Sequence, residues 1–193
     1  MMRKLSLNRI HVWSIGLVLC LMSCNTTKFV PQGEYLLNKA NIKVEDTKEV
    51  AISDLKNYLQ QKQNTEILGF WKLQLGIYNT ASLDTAKWTS KNARRIGEAP
   101  VIYAPELTDR SMVQLKKAMQ NKGYFTAQVD TTITVKDRKV NITYHVTAGE
   151  PYIIRRYRVG FEHEELKQIA QDQRRLISEG MQFDVDMLNQ ERQ

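Results

Sequence analysis

Cysteine and histidine are both scarce in this chain, with two and three in 193 residues. The histidines, His11, His145 and His163, are far apart, so no metal-ligand spacing arises. His163-Glu164-Glu165-Leu166-Lys167 opens a zinc-type pair but places Lys167 where the second histidine belongs. A Gly-x-Ser-x-Gly elbow is missing, and so is a glycine-rich phosphate loop closed by Lys-Ser/Thr. Asp184 and Asp186 read as helix-start residues, where negative charge suits the dipole, rather than as an acid–base pair. No catalytic residue, metal, cofactor or small-molecule substrate is expected. Runs long enough to span a bilayer, about 20 apolar residues, are absent. So is the series of alternating ten-residue segments that a transmembrane barrel requires. No basic stripe interleaved with aromatics appears, which argues against nucleic acid.

What is present begins at the N-terminus. Arg3, Lys4 and Arg9 precede an apolar run from Val12 to Met22, the layout of a secretory signal over residues 1–23. Leu21-Met22-Ser23-Cys24 resembles the lipobox of bacterial lipoproteins: an apolar residue at −3, a small one at −1, and a thiol to take the diacylglycerol. Cys20 does not compete, because Leu19 is a poor −1 residue. The alternative is a buried cysteine after an ordinary signal. It is disfavoured because removing the signal removes Cys20 and leaves Cys24 unpaired in an oxidising compartment. Cys24 is therefore the expected site of acylation, palmitate included, with residues 24–34 as a lipidated tether. Asn25-Thr26-Thr27-Lys28 carries no acidic residue, which by resemblance favours the outer membrane. The signal holds three of the basic residues behind the net charge of +7, leaving +4 on a mature chain of 170 residues. Mild attraction to anionic lipid headgroups fits that balance. Without a disulfide or metal clip, packing alone holds the fold.

Along the mature chain, Leu36 to Val44 reads as a strand. Ile52, Leu55, Tyr58 and Leu59 recur at helical spacing and predict a helix from Ala51 to about Lys62. From 64 to 104 the pattern breaks down. Ile67 to Trp71 and Leu73 to Tyr78 suggest short strands, and Thr80 to Glu98 is polar and irregular, with a basic cluster at Lys91, Arg94 and Arg95. Phe70, Trp71, Tyr78 and Trp88 read as a satellite core, or else as a partner-binding patch. Thr108 is an expected N-cap for a helix with Met112, Leu115 and Met119 on one face, closed by Gly123 at C′. Val129 to Val135 and Val140 to Val146 alternate around the polar turn Lys136-Asp137-Arg138-Lys139, predicting a hairpin with one buried face. After Gly149-Glu150-Pro151 the order restarts. A strand from Tyr152 to Val159 is followed by a helix with Leu166, Ile169, Ala170, Gln173 and Leu176 on one face. A further helix starts at Asp184, with Phe183 stapled to Leu188.

Asn121-Lys122-Gly123-Tyr124-Phe125, Val140 to Val146 running into Gly149-Glu150-Pro151-Tyr152, and Glu179-Gly180-Met181-Gln182-Phe183-Asp184 leading to Leu188 together resemble POTRA modules. These are periplasmic units of the BamA/TamA superfamily of outer-membrane assembly and translocation proteins. The lipobox, with Ile67 to Asn79 and Ile96 to Tyr103, narrows the resemblance to TamA-like lipoproteins (TamL). The implied fold is α+β: a β-α-α-β-β POTRA unit over 35–149 with an insertion at about 64–104, then an incomplete second unit over 150–193. Members continue into further units and a barrel, so the sequence is expected to be an N-terminal portion or a truncated product. The resemblance implies an outer-membrane, periplasm-facing protein that assists assembly, insertion or translocation of outer-membrane proteins. The expected docking element is the second, edge strand, Phe125 to Val135, with Phe125, Ala127, Gln128, Val129, Thr131 and Ile133 as candidates for strand addition. Expected partners are unfolded outer-membrane proteins or a TamB-like subunit. The competing expectation is a free-standing lipoprotein that binds a small ligand or the cell wall.

Overall fold

The computed structural model describes residues 26–191 apart from 70, 85 and 159–175. The signal segment, Cys24, Phe70, His163 and nearly all of the helix expected around Leu166 lie outside the described residues. The chain forms two compact units. Among the described residues, one comprises 26–38 with 63–103 and 135–140; the other comprises 39–62, 104–134 and those from 141 to 191.

In chain order the elements are β1 (Leu36–Val44), α1 (Ile52–Leu55), α2 (Leu73–Thr80), α3 (Trp88–Ile96), α4 (Pro105–Asn121), β2 (Gln128–Lys136), β3 (Lys139–Thr147) and α5 (Val185–Glu191). The three strands form one sheet in the order β1-β3-β2, so β3 is central and β2 lies at an edge. This is the expected mixed α+β architecture. Strand β3 alternates as the sequence predicts: Val140, Ile142, Tyr144 and Val146 are buried. With Ala40, Ile42, Leu55, Leu59, Leu115, Ala118, Met119 and Tyr124, most of these residues make up the core of the larger unit.

The hairpin turn has two central residues, Asp137 and Arg138, both with positive φ, 49° and 59°. This is the twist a two-residue hairpin needs, and glycine normally supplies it. Here the guanidinium of Arg138 donates to the carbonyls of Val30 (2.8 Å) and Pro31 (2.6 Å), and its own carbonyl accepts from the Leu36 N–H. Those bonds offset the left-handed backbone, which costs an L-residue roughly 1–2 kcal/mol.

Several local expectations are corrected. The helix expected from Ala51 to Lys62 is α1 plus a 3-10 turn at Lys56–Tyr58, because the chain turns extended at Leu59 and gives its next N–H, from Gln60, to Ser111 Oγ of α4. Residues 73–78, expected as a strand, begin the helix α2. Leu73, Leu75 and Ile77 satisfy a period of two, but burial follows the i, i+4 pair Leu75 and Asn79. Leu75 packs with Val30, Leu36 and Ile102 in the core of the smaller unit. Within the stretch expected to be irregular, Trp88–Ile96 is helical and carries Lys91, Arg94 and Arg95. Thr108 is not an N-cap, since α4 starts earlier, at Pro105, where the missing N–H costs nothing. Its side chain is buried and its hydroxyl finds no partner among the described residues. Residues 152–158 form no strand: Ile153 makes only an isolated bridge to Gln182. Asp184 does cap α5, accepting from the N–H groups of Asp186 and Met187, while Phe183 packs its ring on Phe125.

Asn79 is 5% exposed, and neither its side-chain oxygen nor its nitrogen has a partner among the described residues. A buried, unpaired amide costs about 1–3 kcal/mol. Asn79→Leu should therefore raise the melting temperature, with a gain of about 1 kcal/mol. A fall in Tm would mean that the amide is satisfied after all.

Candidate functional site

A two-residue turn sets the hydrogen-bond pattern of the hairpin. The residues flanking the turn form a mutually bonded pair, and such pairs recur at every second position. On β2 the even-numbered residues, Gln128 to Lys136, therefore turn N–H and C=O toward β3. Val129, Thr131, Ile133 and Val135 turn theirs outward, where among the described residues no strand lies beside β2. The side chains of these four face the same way as the buried row of β3. Yet Ile133 and Val135 remain 42% and 56% exposed, and Val129 and Thr131 are half-buried. The strand thus offers unpaired backbone groups together with apolar side chains at alternate positions.

The opposite edge of the sheet differs at its start. Residues 101–103 lie against β1: Leu37 N–H donates to Val101 O, Tyr103 N–H donates to Tyr35 O, and Leu36 bridges Ile102. The start of β1 is covered, whereas among the described residues no strand pairs with the outer edge of β2.

Of the sequence-predicted docking residues, Val129, Thr131 and Ile133 lie on the open edge. Gln128 begins the strand, with its backbone turned inward. Phe125 and Ala127 precede the strand. Phe125 stacks edge-on against Tyr152 at 5.0 Å and packs on Phe183 at 5.4 Å, and Ala127 is fully buried. Ala127 therefore offers no side chain to a client strand, whereas Phe125 is 42% exposed but lies outside β2. The Gly-Tyr-Phe turn delays the strand because Gly123 (φ 91°) closes α4 and Tyr124 is buried, its hydroxyl donating to Glu49. Val135, the last residue of the edge strand expected over Phe125 to Val135, lies in the same alternation as Ile133.

On the other face of the sheet, Thr132 Oγ1 lies 3.1 Å from His145 Nε2, and His145 Nδ1 lies 3.0 Å from Glu45 Oε1. The His145 bond, aided by Lys43, holds the Glu45 carboxyl below its ordinary pKa. Asp46 accepts from the Ala148 and Gly149 N–H groups, both at 2.8 Å, and these bonds hold its carboxyl below the usual 3.8. The sign follows: the folded state binds the proton less readily, so this stability is present above pH 3.8 and is lost as pH falls below it. Because Asp46 is exposed, the contribution is under about 1 kcal/mol. Asp46→Asn should flatten the fall in Tm between pH 5 and about pH 3, and an unchanged slope would show that other carboxylates govern it.

An open cleft of about 250 Å³ is lined by Glu49, Val50, Lys122, Tyr124, Met181, Gln182, Asp184 and Met187. Glu49 is bonded to Tyr124, Lys122 is paired with Asp54 at 3.8 Å, and Asp184 caps α5. Its charged groups are already engaged, so the cleft is poorly equipped for a small polar ligand. Among the described residues, no group of three or more metal-ligating side chains converges. No helix among them is long and apolar enough to cross a membrane.

A three-stranded sheet in the order β1-β3-β2, with several helices, defines a small α+β module whose second strand lies at an edge among the described residues. The family model for POTRA, surface antigen variable number repeat, matches residues 39–149. That is more than half of the chain, which therefore belongs to the POTRA family. Domains of this family typically mediate protein–protein interaction in outer-membrane protein assembly. A crystal structure of POTRA domains 3–5 of BamA from Haemophilus influenzae is similar over 83% of this chain and 85% of that one, at 12% identity and a TM-score of 0.29. No curated protein matches the chain.

Proposed function

We propose that this chain is the periplasmic POTRA region of a TamA-like outer-membrane lipoprotein, and that it docks extended segments of unfolded outer-membrane proteins, or of a TamB-like subunit, along the open edge of β2. The observation that carries this is the conjunction at Val129, Thr131, Ile133 and Val135 of outward backbone groups with exposed or half-exposed alternate side chains. An incoming strand gains main-chain hydrogen bonds from the first and mild side-chain selectivity from the second. The domain works by binding rather than by catalysis. Its anchor is the acylated Cys24, supported by the lipobox residues Leu21, Ser23 and Cys24.

The test uses a photo-crosslinking residue at Val135 and an unfolded outer-membrane protein as client. Thr131→Pro removes one outward N–H and leaves the β3 ladder intact. A net hydrogen bond of about 1 kcal/mol is about fivefold in affinity, so crosslinking should fall several-fold at limiting client. Unchanged crosslinking with an intact hairpin would remove the β2 edge from the mechanism. Acylation is checked separately, by palmitate labelling that Cys24→Ala abolishes.

A further inference from the structure

The smaller unit carries a surface that strand docking does not use. In α3, Ser90 is buried and Ala93 and Arg94 are half-buried. Arg94 donates to the Ser82 carbonyl and lies 5.2 Å from the Phe29 ring. The opposite face presents Trp88, Lys91, Arg95 and Ile96, spaced i, i+3, i+7 and i+8. Trp88 is 76% exposed and Ile96 61%; just before the helix, Leu83 is 76% exposed and Lys87 is also exposed. The three cations Lys87, Lys91 and Arg95 form no salt bridge among the described residues. A tryptophan and aliphatic side chains among unpaired cations are the composition of a helix lying in a lipid headgroup layer.

The path of the chain points to the same occupant. Thr27 and Val30 are buried, Phe29 stacks edge-on against Tyr78 of α2 at 5.4 Å, and Lys28 Nζ donates to the carbonyls of Asn79 and Ala81. Residues 27–30 are thus seated on the smaller unit rather than forming a free tether. From Cys24 to Thr27 the chain reaches at most about 10 Å. Resting on the Cys24 anchor proposed above, we infer that the exposed face of α3, with Leu83 and Lys87 before it, lies on an anionic lipid surface. Lipid at Cys24 holds this unit within reach of the bilayer, and Lys87, Lys91 and Arg95 then meet acidic headgroups. Each cation near such a surface contributes about fivefold in binding, and Trp88 settles at the interface.

Trp88 can report this directly. The chain has three tryptophans, and Trp13→Phe with Trp71→Phe leaves Trp88 alone. The full chain is incorporated into vesicles of phosphatidylglycerol and brominated phosphatidylcholine. Trp88 emission should shift to the blue and be quenched. Lys91→Glu with Arg95→Glu should release the quenching and weaken surface contact at least about tenfold, without changing flotation of the chain or its far-UV spectrum. A palmitate-labelled chain that floats while Trp88 stays unquenched overturns the inference, leaves the anchor standing, and hands this face to a protein partner. Equal quenching without phosphatidylglycerol, unaffected by the charge reversals, overturns the recognition of acidic headgroups. Absence of the palmitate label is a failure of the anchor alone, read independently of Trp88.

Discussion

Proline at Thr132 should cost the chain its hairpin, while proline one position earlier should leave it folded. Thr132 is an even-numbered residue of β2, so its N–H belongs to the ladder with the central strand β3. Proline there removes that bond and sets a ring against the neighbouring strand, leaving a carbonyl of β3 without its partner at a cost of about 1–3 kcal/mol before any steric disruption. The side chain lost also sits beside His145, 3.1 Å from its Nε2. At Thr131 the N–H points away from the sheet, where edge strands tolerate proline. A urea titration of the two variants separates them: a large drop in midpoint for Thr132→Pro, a small one for Thr131→Pro. Equal losses would show that the register inferred from the two-residue turn is wrong, and with it the list of outward residues.

Gly123→Ala is the second change with a large expected effect. The left-handed φ of 91° costs an alanine roughly 1–2 kcal/mol. In addition, the new methyl would sit 2.4 Å from the Phe183 carbonyl oxygen, so backbone has to move. That movement loads three bonds: Tyr152 N–H to Gly123 O at 2.9 Å, Phe183 N–H to Tyr152 O at 2.8 Å, and Gln182 Nε2 to Lys122 O at 2.7 Å. With each worth about 1 kcal/mol net, the total loss is expected near 3 kcal/mol or above. Thermal unfolding gives the total, and hydrogen exchange at Tyr152 and Phe183 shows where it falls. A loss under about 1 kcal/mol, with both amides still protected, would show that Phe183 moves aside freely.

The hairpin could be read from residue order alone, because period-two alternation in Val140 to Val146 and the polar Asp137-Arg138 turn are local signals, whereas its place at the edge was implied only by the POTRA resemblance. The C′ role of Gly123 and the cap at Asp184 were legible for the same reason. Residues 73–78 were not: three apolar residues at period two fit a strand, and only the tertiary partners Val30, Leu36 and Ile102 decide for a helix. Thr108 misled because Pro105, three residues earlier, is an equally good helix start. At the site, the alternation identified Val129, Thr131 and Ile133, but not where pairing begins. Ala127 is apolar and in register, and its full burial depends on packing that no local pattern encodes. The cover over β1 by residues 101–103 lay hidden inside a stretch read as insertion.

The Arg138 clamp also has a mechanical side. On the Cys24 anchor and the docking role proposed above, the chain is pulled from its first residues. Tension arriving through Thr27 meets the two Arg138 bonds at Val30 and Pro31 before it reaches the Leu36 N–H at the start of β1. The load passes into the tip of the hairpin, 107 and 108 residues away along the chain, and the sheet is shielded from being peeled open from its first strand. Arg138, one of the two left-handed residues of the turn, is thus also the fastening of the N-terminal segment.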